Sequence, residues 1–499
     1  MQLSSYRREW YALSEAGPDV ERLGRLSRQI AYSFLDYYLK DCRYEKDYID
    51  LLCEMTTFSE DPELTEPAAQ ALFGIIIENL CDDFEELQTL TYNEVMTQIV
   101  SYCRGIGAGK ALDRTLKDFG LHAPEDLLGR INSIRAQRIS LPDPKSVKKV
   151  FLLSRITVGA DVAVTSVLAQ RLMDFFPEAE IALIGGSNLS ELYGGNSRVK
   201  ICGVSYSKRG SLFDRLSSWH LVLGVIQREM ASCPPEAAIL VDSDSRLSQL
   251  GVLPLFPAGR YFYFDSRSDS ALNKKMSMAE LANSWVDEIS GEKGFSYPRA
   301  WFPQSYVGPA NRICGALRSA GAEKIIVTNF GVGGNPRKRV GTDLEERLLL
   351  SLLQEPNTVI FLDKGSGEEE LAAADGLIRF VKGQGHSIAH VSFDAAENPR
   401  IGWGIVGVQS RIGQLAALMS KSDAYIGYDS ACQHIAAALG TPCVTIFAGS
   451  NNMRFIRRWS AYGEKSTDIV HVDTLRDRSS IDVDDIVTRI MHVRRLQNP

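Results

Sequence analysis

The feature that most constrains the fold of this chain is a series of short apolar runs that alternate, from residue 148 onward, with amphipathic helical stretches. Apolar runs enclosed by helices are typical of strands covered on both faces, as in a doubly wound parallel sheet. A segment rich in proline and aromatic residues, 296–304, divides the series in two. The pattern therefore predicts two α/β sheets in sequence, with strands at 150–153, 180–184, 237–241, 261–264, 324–328, 358–362, 387–391, 424–426 and 444–447.

In the residues before 148, apolar side chains recur with the period of an α-helix. Apolar side chains recur at three- and four-residue spacing, as at Leu23, Leu26 and Ile30, which predicts five or six helices. Breaks are expected at Pro62, Pro67 and Gly105. Two prolines within 141–144 end the helical region. We therefore predict an all-α domain followed by two Rossmann-like domains with a ligand cleft between them, over residues 1–142, 143–320 and 321–499.

Composition excludes several classes of protein. A chain of 499 residues with 44% hydrophobic and 23% charged residues is typical of globular proteins of several domains. Its net charge of -7 and the lack of a basic stripe argue against nucleic-acid binding. Nine cysteines without a Cys-x-x-Cys pair argue against a disulfide framework and a zinc site. Without an apolar signal segment or membrane span, a cytoplasmic location is expected.

Asp161 is the first candidate for chemistry. It follows the first predicted strand, after a turn that contains Gly159, at the start of a helix with an apolar interior. At the rim of the predicted cleft, its carboxylate is placed to act as a general base toward a bound hydroxyl. The alternative left open is that Asp161 only caps the N-terminus of its helix.

A glycine-rich loop follows the first strand of the second sheet, from Asn329 to Arg339. Its three glycines, 331, 333 and 334, allow the backbone to approach a ligand closely, and the basic residues 337–339 suit a diphosphate. The loop matches neither the Walker A sequence nor the Gly-x-Gly-x-x-Gly dinucleotide pattern. A plain turn is the alternative.

Residues 422–447 predict a strand, a turn, a helix of small residues, a glycine stop and a second strand. Backbone N–H groups at the N-terminus of that helix form a seat for a phosphate or diphosphate above the parallel sheet. Ser430 and His434, four residues apart, share one helix face. A carboxylate repels a diphosphate, so we expect Asp429 to hold the turn through backbone N–H groups or to bind a sugar or ribose hydroxyl. For His434, an ordinary buried histidine is the alternative.

A second polar segment, 242–251, follows a strand of the first sheet. Its Asp244 and Arg246 are candidates for binding a hydroxylated acceptor, because the segment lies at the carboxyl end of a strand. A solvated loop without a function is the alternative.

Together these segments resemble glycosyltransferase family 9, the ADP-heptose:lipopolysaccharide heptosyltransferases and their relatives. Arg155 to Leu168 is similar to the family pattern Arg-Leu-Ser-Ser-Ile-Gly-Asp-Val-Val-Leu-Thr-Thr-Pro-Val-Leu. Gly427 to Pro442 is similar to Gly-Asn-Asp-Ser-Gly-Pro-Met-His-Leu-Ala-Ala-Ala-Leu-Gly-Thr-Pro. The resemblance covers about residues 148–475. It departs from the patterns at Ala160 and Ala431, where the family has glycine, and in the helical domain, which typical members lack.

The resemblance implies the GT-B architecture, with an acceptor domain before a nucleotide-sugar donor domain. It also implies inverting transfer without a required metal or cofactor, in which Asp161 takes the proton of the acceptor hydroxyl. The donor-binding residues that it implies are Asn335, Lys338, Asp429, Ser430 and His434, with Lys338 on the phosphate. Helix N-terminus and basic groups then carry the charge of the leaving diphosphate.

We therefore predict a glycosyltransferase that uses a nucleotide-diphosphate sugar, with ADP-heptose as the first candidate. A glycan, a lipopolysaccharide or other lipid-linked saccharide, or a protein is the acceptor. Peripheral association with the inner face of the membrane, and docking or self-association through the helical domain, stay open. The alternatives are an epimerase or hydrolase of nucleotide sugars on the same fold, and a non-catalytic protein that binds them.

Overall fold

The computed structural model describes residues 3–17, 19–81, 84–207, 209–268, 271, 275–333, 335–365, 367–393, 398–475 and 481–497. The chain forms two compact units. The first unit comprises Met1–Ile156, Ala182–Gly186 and Cys202–Lys274, and the second comprises Thr157–Ile181, Ser187–Ile201 and Lys275–Pro499. The domain boundaries predicted from the sequence differ from these limits and stay predictions.

Seven α-helices are described in the helical region, instead of five or six. They are α1 (Leu3–Ala16), α2 (Val20–Asp41), α3 (Lys46–Met55), α4 (Pro62–Gln70), α5 (Glu86–Gly105), α6 (Lys110–Asp118) and α7 (Pro124–Ala136). Short connections, such as residues 42–45, leave the apolar period almost uninterrupted, so neighbouring helices look like one. Gly105 ends α5 as predicted.

Pro67 does not break the helix that contains it. It lies inside α4, which continues without a gap into a π-helical segment, Ala71–Ile77. A Cβ placed on Gly24 of α2 would lie 3.7 Å from the Cβ of Pro67, so the proline packs closely against a neighbouring helix. Tertiary packing therefore outweighs the local preference of proline to end a helix.

The first sheet has five strands: β1 (Lys149–Leu153), β2 (Glu180–Gly185), β3 (Val199–Gly203), β4 (Ala238–Asp242) and β5 (Tyr261–Tyr263). Their order is β3-β2-β1-β4-β5, and β1, β4 and β5 are parallel neighbours. Within the first unit, one apolar core joins this sheet to the helical region, with Phe151 and Leu240 in the same cluster as Leu127 and Ile131. The helical region is therefore packed onto the sheet of its own unit.

The second sheet has seven strands: β6 (Lys324–Asn329), β7 (Thr358–Asp363), β8 (Ser387–Val391), β9 (Gly404–Val408), β10 (Ala424–Tyr428), β11 (Cys443–Phe447) and β12 (Thr467–His471). All neighbours are parallel, in the order β12-β11-β10-β6-β7-β9-β8. The α/β fold class with a preceding helical region is thus confirmed, and all nine predicted strands are present. The prediction missed β3, β9 and β12, whose glycines or alternating polar residues hide the apolar run.

Short helical pieces follow β1: α8 (Val158–Ala160), a π-helical segment (Asp161–Thr165) and α9 (Ser166–Phe175) are continuous. The other α-helices of the described residues are α10 (Leu189–Tyr193), α11 (Leu212–Met230), α12 (Met278–Ser290), α13 (Val307–Ser319), α14 (Thr342–Leu353), α15 (Glu368–Gly383), α16 (Ile412–Met419), α17 (Ala431–Ala438), α18 (Met453–Trp459) and α19 (Val483–Gln497). Within the described ranges, no helix combines the length and apolar character needed to cross a bilayer.

Candidate functional site

The second sheet reverses its strand order between β6 and β10. Ligands of doubly wound sheets bind at the carboxyl ends of the two strands at such a switch point. Asn329, the last residue of β6, is in register with Gly427 of β10. The turn that follows β10 therefore starts beside a polar side chain, at the place where the topology favours a ligand.

Helix α17 begins in this turn. Ser430 is its N-cap, since its Oγ accepts a hydrogen bond from the Cys432 N–H at 3.3 Å. The same hydroxyl donates a hydrogen bond to Asn329 Oδ1 at 3.3 Å. The cap fixes the positive end of α17 at the switch point, with the geometry expected of an anion seat. Binding of a diphosphate there stays a prediction.

Lys338 and Asp429 meet beside that helix end. Lys338 Nζ donates to Asp429 Oδ2 at 2.6 Å, and Gln433 Nε2 donates to Asp429 Oδ1 at 2.6 Å. Burial raises the pKa of Asp429, and the charge of Lys338 and its hydrogen bonds act in the opposite direction. The expectation that Asp429 holds the turn through backbone N–H groups is wrong, because its described partners are two side chains.

The loop that carries Lys338 is held closely against a neighbouring turn. Asn335, which is exposed, accepts a hydrogen bond from the Arg337 N–H at 3.2 Å and caps a 3₁₀ turn that ends at Lys338. Gly449 has φ +79°, and a Cβ there would lie 2.8 Å from the Arg337 carbonyl carbon. Only glycine allows this approach without strain. Of the three loop glycines, Gly334 lies outside the described residues.

The three basic residues after Asn335 do not act together. Arg339 forms a bidentate ion pair with the fully buried Glu345, at 2.6 and 2.5 Å. Tyr428 donates from its hydroxyl to Glu345 at 3.2 Å and accepts from the Val340 N–H at 3.2 Å. This network anchors the loop to the end of β10, while Lys338 points to Asp429 and Arg337 is exposed.

Asp161 does not cap its helix. The N-cap position is Thr157, and Asp161 begins the π-helical segment one turn later. Its side chain accepts a hydrogen bond from the Thr165 hydroxyl at 2.9 Å, and the residue is 4% exposed. The capping alternative is therefore wrong. The general-base role stays a prediction, because nothing in the geometry measures proton transfer.

The helix that carries Asp161 packs on α17 within the second unit. A Cβ on Gly159 would lie 3.0 Å from His434 Cδ2 and 3.3 Å from the Ala431 Cα, so glycine permits the contact. Further along both helices, Gln170 of α9 and residues 437–440 at the end of α17 line one cavity of about 310 Å³. The two helices therefore run side by side in the same direction, and their N-terminal ends meet at the switch point.

His434 is buried there without a described hydrogen-bond partner. Its ring makes an edge contact with Trp459 at 6.2 Å between centroids. Burial, assisted by the charge of Lys338, lowers the pKa of His434 to about 4. The imidazole is therefore neutral near pH 7, and the positive charge of Lys338 lies close enough to disfavour its protonation.

Asp244 lies at the corresponding edge of the first sheet and is fully buried. It forms an ion pair with Arg267 and a longer one, 3.5 Å, with Arg155. Tyr263 and Ser266 donate to it at 2.8 and 2.5 Å. The solvated-loop alternative is wrong, because the segment is packed inside the first unit. Acceptor binding by Asp244 stays a prediction that this saturated network does not favour.

Arg246 is half-buried in the same segment. Its charge acts on the buried hydroxyls of Tyr92 and Tyr206, which the helical region and a loop of the first unit contribute. These two tyrosines therefore lie close to Arg246, and a role for Arg246 in acceptor binding stays a prediction.

Sequence reasoning missed the residues that support this site. Gln433 is fully buried in α17, and Glu345 is fully buried in α14. A signal for Gln433 was present, because a long amide among small apolar residues, four positions after Asp429, faces the same side of the helix. In the described segments, no group of three or more His, Cys, Asp and Glu side chains is arranged to hold a metal ion.

Comparison with known proteins agrees with this architecture. Residues 404–480 match glycosyltransferase family 9 (heptosyltransferase), a range that includes β9, β10, α17 and β11. No curated protein matches the sequence.

Among solved structures, a glycosyl transferase family 9 protein from Veillonella parvula DSM 2008 is similar, with 14% identity and a TM-score of 0.50, over 71% of this chain and 98% of that one. E. coli ADP-heptose lps heptosyltransferase II has 14% identity and a TM-score of 0.45, over 70% and 99%. E. coli heptosyltransferase WaaC with ADP has 12% identity and a TM-score of 0.45, over 69% and 99%.

The first of these structures establishes the shared fold. The family match contains the turn and helix at which Asp429, Ser430 and His434 meet. The chain is therefore similar to glycosyltransferase family 9 over residues 404–480, and it shares the fold of the Veillonella parvula protein.

Proposed function

We propose that this protein is an inverting glycosyltransferase that moves a sugar from a nucleotide-diphosphate sugar to an acceptor hydroxyl without a required metal ion. The donor we favour first is ADP-heptose, because the matched family is described as that of heptosyltransferases. The acceptor is a glycan, a lipid-linked saccharide or a protein. The observation that carries the proposal is the meeting of two helix N-termini, one with Asp161 and one with Ser430.

Charge at this meeting point suits a departing diphosphate. Two helices direct their positive ends to the same place, and Lys338 adds a full positive charge. These groups are arranged before any ligand binds, so they stabilise the charge that develops on the leaving group without reorganising. Lys338 meets Asp429 and a phosphate oxygen at once, which balances the carboxylate that would otherwise repel the donor.

Asp161 supplies the proton acceptor in this mechanism. As the acceptor oxygen attacks the anomeric carbon, its proton moves to the Asp161 carboxylate and a new glycosidic bond forms. The bond from the anomeric carbon to the diphosphate breaks on the opposite face, so the configuration inverts and nucleoside diphosphate leaves. The hydrogen bond from Thr165 holds the carboxylate in one orientation during this step.

The test has two stages. First, ADP, GDP and UDP are titrated into the protein by calorimetry, and we expect one of them to bind. Second, release of nucleoside diphosphate from the matching sugar donors is followed with glycan, lipid-linked and protein acceptors. Asp161→Asn is expected to lower acceptor-dependent release by about 10²–10⁴-fold while nucleotide affinity stays within about twofold.

The control is Asp174→Asn, an exposed aspartate on the same helix, which is expected to leave both measurements unchanged. Release that needs no acceptor would identify a hydrolase instead. Binding without release from any donor would identify a non-catalytic binding protein. Failure of all three nucleotides to bind would overturn the proposal.

A further inference from the structure

Gln433 is hydrogen-bonded to Asp429, one of the predicted donor-binding residues. It is fully buried in α17, and both ends of its amide are engaged. Nε2 donates to Asp429 Oδ1 at 2.6 Å and to the Trp459 carbonyl at 3.3 Å. Oε1 accepts from the Thr445 hydroxyl at 2.9 Å. A fully satisfied buried amide of this kind has one stable orientation.

Thr445 holds the oxygen end of that amide. It lies in the buried strand β11, whose neighbours on both sides are in register, so its hydroxyl has little freedom. The Asp429 carboxylate and the Trp459 carbonyl can only accept hydrogen bonds, so the NH₂ group of Gln433 faces them and Oε1 accepts from the Thr445 hydroxyl. The contact chain Thr445, Gln433, Asp429, Lys338 therefore runs from the sheet interior to the predicted diphosphate seat.

We infer that Gln433 is a positioning residue for donor binding, which holds the Asp429 carboxylate so that its outer oxygen fixes Lys338 where the diphosphate of the donor meets it. The inference rests on the proposed function and deepens it. The family pattern has methionine at the position of Gln433, and methionine cannot make these amide hydrogen bonds. The series of hydrogen bonds is therefore a departure of this sequence from the pattern.

Replacement of the amide has two effects. Gln433→Met keeps the length of the side chain but leaves Asp429 Oδ1 buried without a donor, and loss of a buried partner is costly. The carboxylate is then no longer held toward Lys338. A hydrogen bond to the ionised form is also lost, so the pKa of Asp429 rises further, because that bond favours the charged carboxylate.

The experiment measures affinity for the tightest-binding of ADP, GDP and UDP, from pH 5 to pH 9. Wild type, Gln433→Met, Thr445→Val and the double variant are compared, with Asp429→Asn to identify the inflection of Asp429. We expect about tenfold weaker binding for Gln433→Met, about threefold for Thr445→Val, and no further loss in the double variant, because the two residues act in one chain. The inflection should move to higher pH in Gln433→Met.

Three outcomes overturn the inference: unchanged affinity and inflection in Gln433→Met, additive losses in the double variant, or a fall in unfolding midpoint alone. Thr445→Val removes the hydrogen bond to Gln433 Oε1 without changing Gln433 itself. The test can therefore still be made if Gln433→Met fails to fold. If wild type binds no nucleoside diphosphate, the proposed function itself is refuted. If wild type binds and Gln433→Met binds equally well, only the positioning role is refuted.

Discussion

The two sheets have the same kind of switch point, but their carboxyl edges are used differently. Between β1 and β4 of the first sheet, the fully buried Asp244 is enclosed by arginines and hydroxyls of its own unit. Between β6 and β10 of the second sheet, the Lys338 side chain remains 24% exposed beside a capped helix N-terminus. One edge is filled by side chains of the protein, and the other leaves a charged side chain partly exposed.

The helical region explains much of the difference. Arg267, which pairs with Asp244, also donates from Nε to the Cys81 carbonyl at 3.1 Å, and Arg135 of α7 pairs with Asp265 at 2.6 Å. The helical region thus covers the edge of the first sheet with its own hydrogen-bonding groups. Topology alone names two candidate ligand sites, and the side chains that close or leave open each edge decide between them.

The largest effect is expected on the free energy of unfolding, when the ion pairs of Asp244 at the edge of the first sheet are removed. Asp244→Asn removes the charge that balances Arg267 and Arg155 inside the first unit, so we expect a loss of about 3–5 kcal/mol in the free energy of unfolding. Urea denaturation measures it. Asp485→Asn, which removes one partner of an exposed pair on α19, should leave the midpoint near that of wild type. A stable Asp244→Asn that loses acceptor-dependent turnover would instead support the acceptor role.

The two edges should also respond oppositely to pH. The pKa of His434, lowered by burial to about 4, lies below its unfolded value, so its contribution to stability is complete above pH 6.5 and is lost as the pH falls toward 4. The pKa of Asp242, raised by burial to about 6, lies above its unfolded value, so stability is lost as the pH rises from about 4 to 6. Each amounts to about 3 kcal/mol at most.

Unfolding free energies at pH 4, 5, 6 and 7 check this contrast. Relative to wild type, His434→Gln should become comparatively more stable as the pH falls, and Asp242→Asn as the pH rises. Slopes of the same sign for both variants would show that the two edges do not differ in this way.

Ligand binding should distinguish the edges more directly. Lys338→Ala is expected to weaken nucleoside diphosphate binding by about 10–100-fold, since one charge-assisted contact is lost. Arg246→Ala, the corresponding truncation at the edge of the first sheet, should leave that affinity unchanged, as should Lys382→Ala on the exposed side of α15. Calorimetry with ADP, GDP and UDP measures all three. Equal losses of nucleoside diphosphate affinity in Lys338→Ala and Arg246→Ala would show that the two sheet edges do not differ in ligand binding.

The sequence predicts those elements of the fold that depend on local residue patterns, and it misses those that depend on contacts between distant residues. Strands such as β1 and β6 are continuous apolar runs, and their positions follow from the sequence alone. Strand β9 contains two glycines and was missed, because its pairing with β7 and β8 rather than its composition makes it a strand. Pro67 was misjudged for the same reason, since its effect depends on packing against α2.

In the candidate site, too, the residues carried by sequence motifs were predicted and those that depend on tertiary contacts were missed. Asp161, Lys338 and Asp429 were predicted from motifs, and the structure brings Lys338 and Asp429 to 2.6 Å. The partners of Asp244 include Arg155, which is distant in the sequence and gives no local signal of burial. Gln433 was missed because its hydrogen bonds include one from Thr445 of the next strand, a contact that no spacing rule describes.

The smallest predicted effect tests whether the open edge depends on the close contact of its two helices. At Gly315 of α13, no atom would lie within 4 Å of an added Cβ, so Gly315→Ala should raise stability by about 0.5–1 kcal/mol through helix propensity alone. Gly159→Ala has the same intrinsic benefit, but its methyl group meets His434 and Ala431 at 3.0 and 3.3 Å. We therefore expect Gly159→Ala to gain nothing in thermal denaturation and to lower acceptor-dependent turnover, because the helix with Asp161 must move away from α17. An equal gain in stability with full turnover in both variants would mean that the two helix ends need not touch for the site to work.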